Sequence, residues 1–154
     1  MAIEKVREYF RQFGMEDQIV EFETSSATVE LAAAAVGTEP ARIAKTLSFR
    51  DQDGCILIVT AGDQKIDNAK FKAQFHMKAR MLAPEEVVAL VGHEIGGVCP
   101  FAVGSQVKVY TDISLQRFDT VFPAAGSSNS AIELSCGQLF KYSGSLGWID
   151  VCKA

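Results

Sequence analysis

The feature that most constrains the fold is a pair of strand-length apolar segments joined by a short turn. Residues 46–50 and residues 55–61 are rich in apolar and β-branched side chains, and residues 51–54 (DQDG) lie between them. A polar turn that ends in glycine favours a tight chain reversal, so this pattern predicts an antiparallel β-hairpin. Such a hairpin argues against a doubly wound parallel sheet, in which helices separate successive strands.

The rest of the chain alternates between helical and extended patterns. Apolar residues recur at helical intervals, and glycine or proline marks the ends of several segments. Helices are predicted at residues 2–13, 29–36, 40–44, 67–75, 84–91, 114–116 and 138–141. Further strands are predicted at residues 20–23, 79–82, 106–110, 120–123, 131–134 and 148–151, and a loop at residues 92–104. We therefore expect a single mixed α/β domain over residues 1–154 with about seven short strands.

Composition narrows the class of protein. The 154 residues are 48% hydrophobic and 22% charged, as in an ordinary globular domain. The net charge of -4 argues against a whole surface that binds nucleic acid, so any such contact must be local. The four cysteines include no CxxC pair, and there are only two histidines, which argues against a structural zinc site. The charged amino terminus and the short apolar runs predict a cytoplasmic protein with reduced thiols and no membrane contact.

Lys45 is the first candidate for a functional side chain. It lies where the helix predicted at residues 40–44 gives way to a strand. A lysine at the end of an element is usually a solvated surface residue. The alternative is a cation at the mouth of the sheet that pairs with a phosphate or polarises a carbonyl. Composition alone leaves both interpretations open.

The second candidate is a glycine-rich segment at residues 92–101 (GHEIGGVCPF). Gly96 and Gly97 allow positive φ angles and can turn successive backbone N–H groups toward one point, which would form an anion or oxyanion site. A tight connection between a helix and a strand also needs glycine, so a purely structural role is equally open. The segment matches neither a Walker A loop nor a Rossmann fingerprint.

Two other arrangements are weaker candidates. Cys99 with His93 suggests a thiol nucleophile and its base, but six residues apart in one loop is no recognised catalytic geometry. His93 with Glu94 lacks a third metal ligand. The polar turn at residues 126–130 (GSSNS) could hydrogen-bond a small ligand, although turns favour these residues in any case.

In chain order, these features resemble the YbaK family, which includes the editing domain inserted in bacterial prolyl-tRNA synthetases. The resemblance covers about residues 20–152. It rests on Lys45-Thr46-Leu47, Ala61-Gly62-Asp63, Val91-Gly92, Gly96-Gly97-Val98-Cys99-Pro100, and Gly126 ahead of Ile132-Glu133-Leu134.

The resemblance implies a fold and an activity. The fold is an α/β domain of the α+β type, with a mixed, barrel-like sheet of about six to seven strands flanked by helices. The activity is that of a trans-editing aminoacyl-tRNA deacylase, a hydrolase of the ester that joins a wrong amino acid to the terminal adenosine of a tRNA. The resemblance implies that the protein needs no metal or cofactor and does not bind a membrane. It leaves the oligomeric state open, and an aminoacyl-tRNA synthetase is a possible partner.

The resemblance also assigns roles to individual residues. By this analogy Lys45 binds and orients the acceptor end of the aminoacyl-tRNA, and the backbone amides of Gly96 and Gly97 lie at the ester. The remaining residues expected to bind substrate are Val98, Cys99, Pro100, Gly126, Ser127 and Ser128. An activated ester needs mainly positioning and oxyanion donors, so the lack of a convincing triad agrees with this chemistry.

The substrate is less defined. Family members that resemble the cysteine-editing branch tend to have a basic stretch after the glycine that matches Gly126, whereas this chain has Ser127, Ser128 and Asn129. Such a wall suits alanine, serine or threonine, carried by tRNA-Pro or a related tRNA, and cysteine stays open. Around Lys45, a cationic rim is expected from some of Arg42, Lys65, Lys70 and Lys72. The alternative function is a module that binds a tRNA end or a nucleotide without turnover and acts with a synthetase.

Overall fold

The computed structural model describes residues 2–52, 54–94 and 96–153. Within these residues the α-helices are α1 (Ala2–Arg11), α2 (Val29–Val36), α3 (Asn68–Phe75), α4 (Pro84–Val91) and α5 (Cys136–Ser143). The strands are β1 (Ile19–Glu21), β2 (Ile43–Arg50), β3 (Cys55–Ala61), β4 (Val107–Asp112), β5 (Thr120–Pro123), β6 (Ser130–Ile132), β7 (Leu134–Ser135) and β8 (Trp148–Ile149). Short 3-10 helices occupy Glu16–Gln18, Pro40–Arg42 and Ile113–Arg117.

The strands form one large mixed sheet and one small ribbon. The large sheet has the order β7-β5-β2-β3-β4-β8, and β1 pairs with β6 in the ribbon. β2 and β3 form the predicted antiparallel hairpin, whereas β2 with β5, β3 with β4, and β4 with β8 are parallel pairs. The sheet curls into a half-barrel flanked by helices. The expected α+β fold with a mixed, barrel-like sheet is therefore confirmed.

The core lies on both faces of β3. All seven residues of this strand are buried, and their side chains alternate between two clusters. Leu57 and Val59 pack in the larger cluster with Phe10 of α1, and Ile58 packs in the second cluster with Phe71 of α3. A strand buried on both faces explains why this segment is apolar throughout rather than alternating.

Several helix boundaries follow from local signals. Thr28 caps α2 by accepting a hydrogen bond from Leu31 N at 3.2 Å, and Gly37 ends it with φ 76°. α4 begins at Pro84 and ends at Gly92, which has φ 87°. These are the positions where capping residues, proline and glycine are favoured. In the described residues, no helix is long and apolar enough to cross a membrane.

Three predicted segments are wrong. The helix at residues 40–44 stops at Arg42, because Ile43 and Ala44 pair with β5 and so begin β2. Residues 79–82 form no strand and make only an isolated bridge between Met81 and Phe49. Residues 131–134 divide between β6 and β7, which pair with different strands, β1 and β5. In each case a partner distant in sequence decides the local structure.

Candidate functional site

A cavity of about 230 Å³ lies along the outer edge of β2. It brings together Lys45 of β2 with Gly96 and Val98 of the glycine-rich segment, three of the predicted site residues. The other lining residues are Ser26, Ala27, Thr28, Val29, Ala32, Ile43, Ala44, Thr46, Leu47, Ser48, Met81, Leu82, Val87, Phe122, Ala124, Ser130 and Ala131. The wall is mainly apolar, with a few hydroxyl groups.

The cavity occupies a gap in the pairing of β2. β5 lies beside β2 only at Ile43 and Ala44. The next contact along this edge is the hydrogen bond from Leu82 N to Ser48 O, at 3.2 Å. No strand of the described chain therefore lies beside β2 between these points. An unpaired edge presents backbone N–H and C=O groups, which a bound molecule can use.

Lys45 is half-buried at this edge and lies inside β2, not at the start of a strand. Its ammonium group donates a hydrogen bond to Gln64 O. Burial lowers the pKa of Lys45, and the nearby Lys65 acts in the same direction, while Asp63 and Glu30 oppose them. A partly desolvated ammonium group is well suited to pair with an anionic oxygen of a ligand, because it has less hydration to lose.

The glycine-rich segment forms another part of the wall. Gly96 has φ 96° and lines the cavity. Gly97 N donates a hydrogen bond to Glu94 O at 3.0 Å, so this amide is already engaged within the loop. A Cβ atom at Gly97 would lie 2.7 Å from Cα and C of Ser127. Only glycine allows this approach, so Gly97 fixes the loop against the turn at residues 126–130.

The turn at residues 126–130 contacts the site mainly from outside the main cavity, which only Ser130 of this turn lines. Gly97, Gly126, Ser127 and Ser128 line a second cavity, of about 380 Å³. Gly126 has φ 96°, and a Cβ atom there would lie 2.9 Å from Ala2 O of α1. Ser128 O accepts a hydrogen bond from Ser26 N at 2.6 Å, which holds the segment before α2. The turn thus joins α1, the glycine-rich segment and the entrance to α2.

The predicted pair of His93 and Cys99 does form a contact. Cys99 Sγ lies 3.5 Å from His93 Nε2, which in turn lies 2.9 Å from Phe101 O. The loop folds back on itself and so brings these two side chains together. However, Cys99 is fully buried, and burial raises its pKa to about 12. At neutral pH the thiol stays protonated and shielded, which does not suit a nucleophile.

The remaining predicted residues have other surroundings. Pro100 is buried next to Cys99 and is not one of the residues that line the main cavity. Of the expected cationic rim, Arg42 Nε donates to Thr120 O at 3.1 Å, and Lys70 binds Asp150 at 3.0 Å. Among the described residues, no group of three or more His, Cys, Asp or Glu side chains could hold a metal ion.

Several residues that were not predicted as site residues also line the cavity. Thr46 and Ser48 share one face of β2 with Ala44, and Ser26 and Ser130 add two further hydroxyl groups. The sequence of β2 carried a signal for this, because Thr46 and Ser48 are polar residues two positions apart, so they lie on the same face of the strand as the apolar Ala44.

The structure is a mixed α+β half-barrel with a lysine and a glycine-rich loop on one small cavity, and comparison with known proteins identifies the family of domains that it resembles. Residues 23–142 match the aminoacyl-tRNA editing domain, and the chain belongs to this family. This confirms the family indicated by the resemblance.

Individual relatives extend the comparison. The chain is 57% identical to the uncharacterized protein YwhH of Bacillus subtilis (strain 168) over 154 residues, which cover 99% of this chain and 98% of YwhH. It is 32% identical over 92 residues to the proline–tRNA ligase of Thermotoga sp. (strain RQ2), covering 58% of this chain but 15% of the ligase. A solved structure described as a candidate trans-editing enzyme for prolyl tRNA synthetase has a TM-score of 0.89 and 27% identity, covering 99% of this chain and 98% of that one.

Proposed function

We propose that this protein is a trans-editing aminoacyl-tRNA deacylase, which hydrolyses the ester between a wrong amino acid and the terminal adenosine of a tRNA. One observation carries the proposal: in a chain of the editing family, Lys45 and Gly96 line the same small cavity. A cation and a glycine-rich backbone segment are the groups that this reaction needs, since the ester is already activated.

The size and lining of the cavity support a small amino acid. Its volume is about 230 Å³, and its apolar wall carries a few serine and threonine hydroxyl groups. Alanine, serine, threonine and cysteine match these dimensions and this chemistry. The likeness to part of a proline–tRNA ligase supports tRNA-Pro, or a related tRNA, as the carrier. A synthetase that releases such a mischarged tRNA is the partner that this function needs.

The proposed mechanism depends on position and charge. The Lys45 ammonium group leaves Gln64 O and pairs with an oxygen of the terminal nucleotide, which fixes the ester in the cavity. The backbone N–H groups of Gly96 and Val98 face the ester carbonyl and stabilise the oxyanion as it forms. A water molecule, oriented by the neighbouring ribose hydroxyl, attacks the carbonyl carbon. The ester C–O bond breaks, the amino acid leaves with its carboxylate, and a proton from the attacking water passes to the released ribose oxygen.

Gly97 and the turn around Ser127 act as positioning elements in this mechanism. Because Gly97 N already donates to Glu94 O, its N–H group holds the loop shape. The donors of Gly96 and Val98, which line the cavity, are the ones proposed to act on the substrate. Cys99, Pro100, Gly126 and Ser128 support the loop or the neighbouring segments and act only through them.

A second candidate is a module that binds the end of a tRNA, or a nucleotide, without turnover and acts with a synthetase. It is favoured by the two donors that are engaged within the chain, Lys45 Nζ with Gln64 O and Gly97 N with Glu94 O. Catalysis through either donor would first require its hydrogen bond within the chain to break. A protein that only binds the tRNA end can leave both hydrogen bonds in place.

Single-turnover deacylation distinguishes the two candidates. Transcribed tRNA-Pro is charged separately with alanine, serine, threonine, cysteine and proline, and the release of free amino acid is followed with protein in excess. The deacylase predicts release of at least one small amino acid far above the spontaneous rate, with prolyl-tRNA spared. Retention of the charged tRNA on the protein, with no release above the spontaneous rate for any of the five, would establish the binding module instead.

A further inference from the structure

Thr46 has an unmet hydrogen-bonding requirement on the wall of the cavity. Its Oγ1 is buried and has no hydrogen-bond partner in the described residues. The other buried side-chain atoms in this situation belong to Glu16 and His93, neither of which lines this cavity. A buried hydroxyl without a partner costs free energy that a folded protein normally avoids. A ligand in the cavity can supply the missing partner.

The backbone of Thr46 is open on the same side. The hydrogen bond from Asp51 N to Gly54 O shows which residues of β2 direct their backbone groups toward β3. By this alternation Ser48 O and Arg50 N face outward, where they bind Leu82 N and Arg80 O. The two-residue period of a strand therefore directs the N–H and C=O of Thr46 to the outer edge as well. Since pairing with β5 ends at Ala44, that edge is uncovered at Thr46.

Lys45 and Thr46 are neighbours in β2, so their side chains lie on opposite faces of the sheet. Successive side chains of a strand point to opposite faces. Lys45 is half-buried and reaches Gln64 O, while Thr46 stands opposite the fully buried Val59 on the face that carries the larger core cluster. A substrate whose ribose and phosphate meet Lys45 at the edge would therefore extend its side chain inward, toward the Thr46 hydroxyl.

We propose that Thr46 is a specificity-determining residue, and that its hydroxyl hydrogen-bonds the side-chain hydroxyl of a seryl or threonyl group. This inference rests on the proposed function. The lining includes the apolar residues Leu82, Val87 and Val98, and its one cation, Lys45, is assigned to the nucleotide, so no cation of the lining is left to pair with an acidic side chain. An alanyl group would leave the hydroxyl unpaired, and a thiol is a weaker hydrogen-bond donor than a hydroxyl.

The test measures single-turnover deacylation of seryl- and alanyl-tRNA-Pro by the wild-type protein and three variants. Thr46→Val removes the hydroxyl at nearly constant shape, and Thr46→Ser retains it. Thr24→Val makes the same chemical change at an exposed residue away from the cavity. The wild type should prefer the seryl ester. Thr46→Val should lower the seryl rate roughly 10- to 100-fold and leave the alanyl rate unchanged or higher. Thr46→Ser and Thr24→Val should keep the seryl preference.

The outcomes separate this inference from the proposed function. Equal losses on both esters in Thr46→Val, or a wild-type preference for the alanyl ester, would overturn the role of Thr46 while leaving the deacylase intact. No turnover of either ester by the wild type would overturn the proposed function, and this inference with it. The seryl-to-alanyl comparison in the wild type needs no variant, so a preference for the alanyl ester would overturn the inference even if Thr46→Val fails to fold.

Discussion

The strand wall and the loop wall of the cavity are held in place by different means. On the strand wall, Lys45 and Thr46 belong to β2, whose ladder with β3 runs from Ala44 to Arg50. Neither side chain is needed for that ladder, because the backbone alone makes it. On the loop wall, the position of Gly97 depends on a backbone approach to Ser127 that a single methyl group would prevent.

This difference predicts that substitutions affect activity and stability separately on the strand wall and together on the loop wall. A side chain on β2 can change the reaction while the fold persists. A change at Gly97 moves the donors of the loop and disturbs its packing together.

The largest effect is expected for Lys45→Met. Loss of the ammonium group should lower single-turnover deacylation roughly 100- to 1,000-fold, the range seen when one charge-stabilising group is removed. The melting temperature should stay the same or rise. Because burial lowers the pKa of Lys45, the unfolded chain binds the proton more readily, and the charged lysine makes folding less favourable.

Lys78→Met is the matched control for this substitution, because Lys78 is exposed and lies outside the cavity. It should retain the wild-type rate. Full activity in a folded Lys45→Met protein would remove Lys45 from the mechanism.

Gly97→Ala should reduce both turnover and stability. The new Cβ atom would approach Ser127 within 2.7 Å, so the loop or the turn must shift. We expect about 100-fold slower chemistry, since displaced backbone donors no longer meet the carbonyl, and a loss of about 1–3 kcal/mol in the free energy of unfolding. Gly147→Ala is the control, because a Cβ there meets no atom within 4 Å. A destabilised protein with normal turnover per folded molecule would show that the loop is only a connection.

His93 should make the stability of the loop wall depend on pH. Burial lowers its pKa below 6.5, so below pH 6.5 the unfolded chain takes up a proton that the folded chain resists. Stability is therefore fully present above pH 6.5 and falls as the pH is lowered toward the folded-state pKa. The free energy of unfolding falls by about 1.4 kcal/mol for each pH unit between 6.5 and the folded-state pKa of His93. Urea unfolding at pH 8 and pH 5 should show a smaller difference for His93→Gln than for the wild type, and equal differences would contradict this account.

The smallest effect on activity is expected for Cys99→Ala. The thiol is fully buried and burial raises its pKa to about 12, so we expect it to take no part in the proposed reaction. Turnover per folded molecule should stay within about twofold of the wild type, with a modest loss of stability from the small cavity that remains. Complete inactivation with the fold preserved would indicate a thiol mechanism on the loop wall.

Local signals in the sequence were enough to predict much of the fold. The DQDG turn predicted the β2–β3 hairpin, and Thr28, Gly37 and Gly92 predicted the ends of α2 and α4. These features depend on residues that are close together in the chain, where capping and turn preferences act.

The features that the sequence did not predict depend on contacts between residues that are far apart in the chain. The placement of Lys45 inside β2 follows from the pairing of Ile43 and Ala44 with β5, almost eighty residues further along the chain. The open edge at Thr46 exists only because that pairing stops. Likewise, the contact of Gly97 with Ser127 joins two loops whose separate motifs gave no sign of it. Motif order could indicate the family, but it could not show which residues touch the cavity.

A crystal structure with a non-hydrolysable substrate analogue would test the central claim most directly. In 3′-deoxy-3′-serylamino-adenosine 5′-phosphate an amide replaces the ester, so the aminoacyl group stays attached. We expect this group in the cavity between Gly96 and the open edge of β2, with Lys45 Nζ moved from Gln64 O to an oxygen of the nucleotide. An analogue bound instead in the second cavity beside Ser127, with Lys45 still on Gln64 O, would contradict the account.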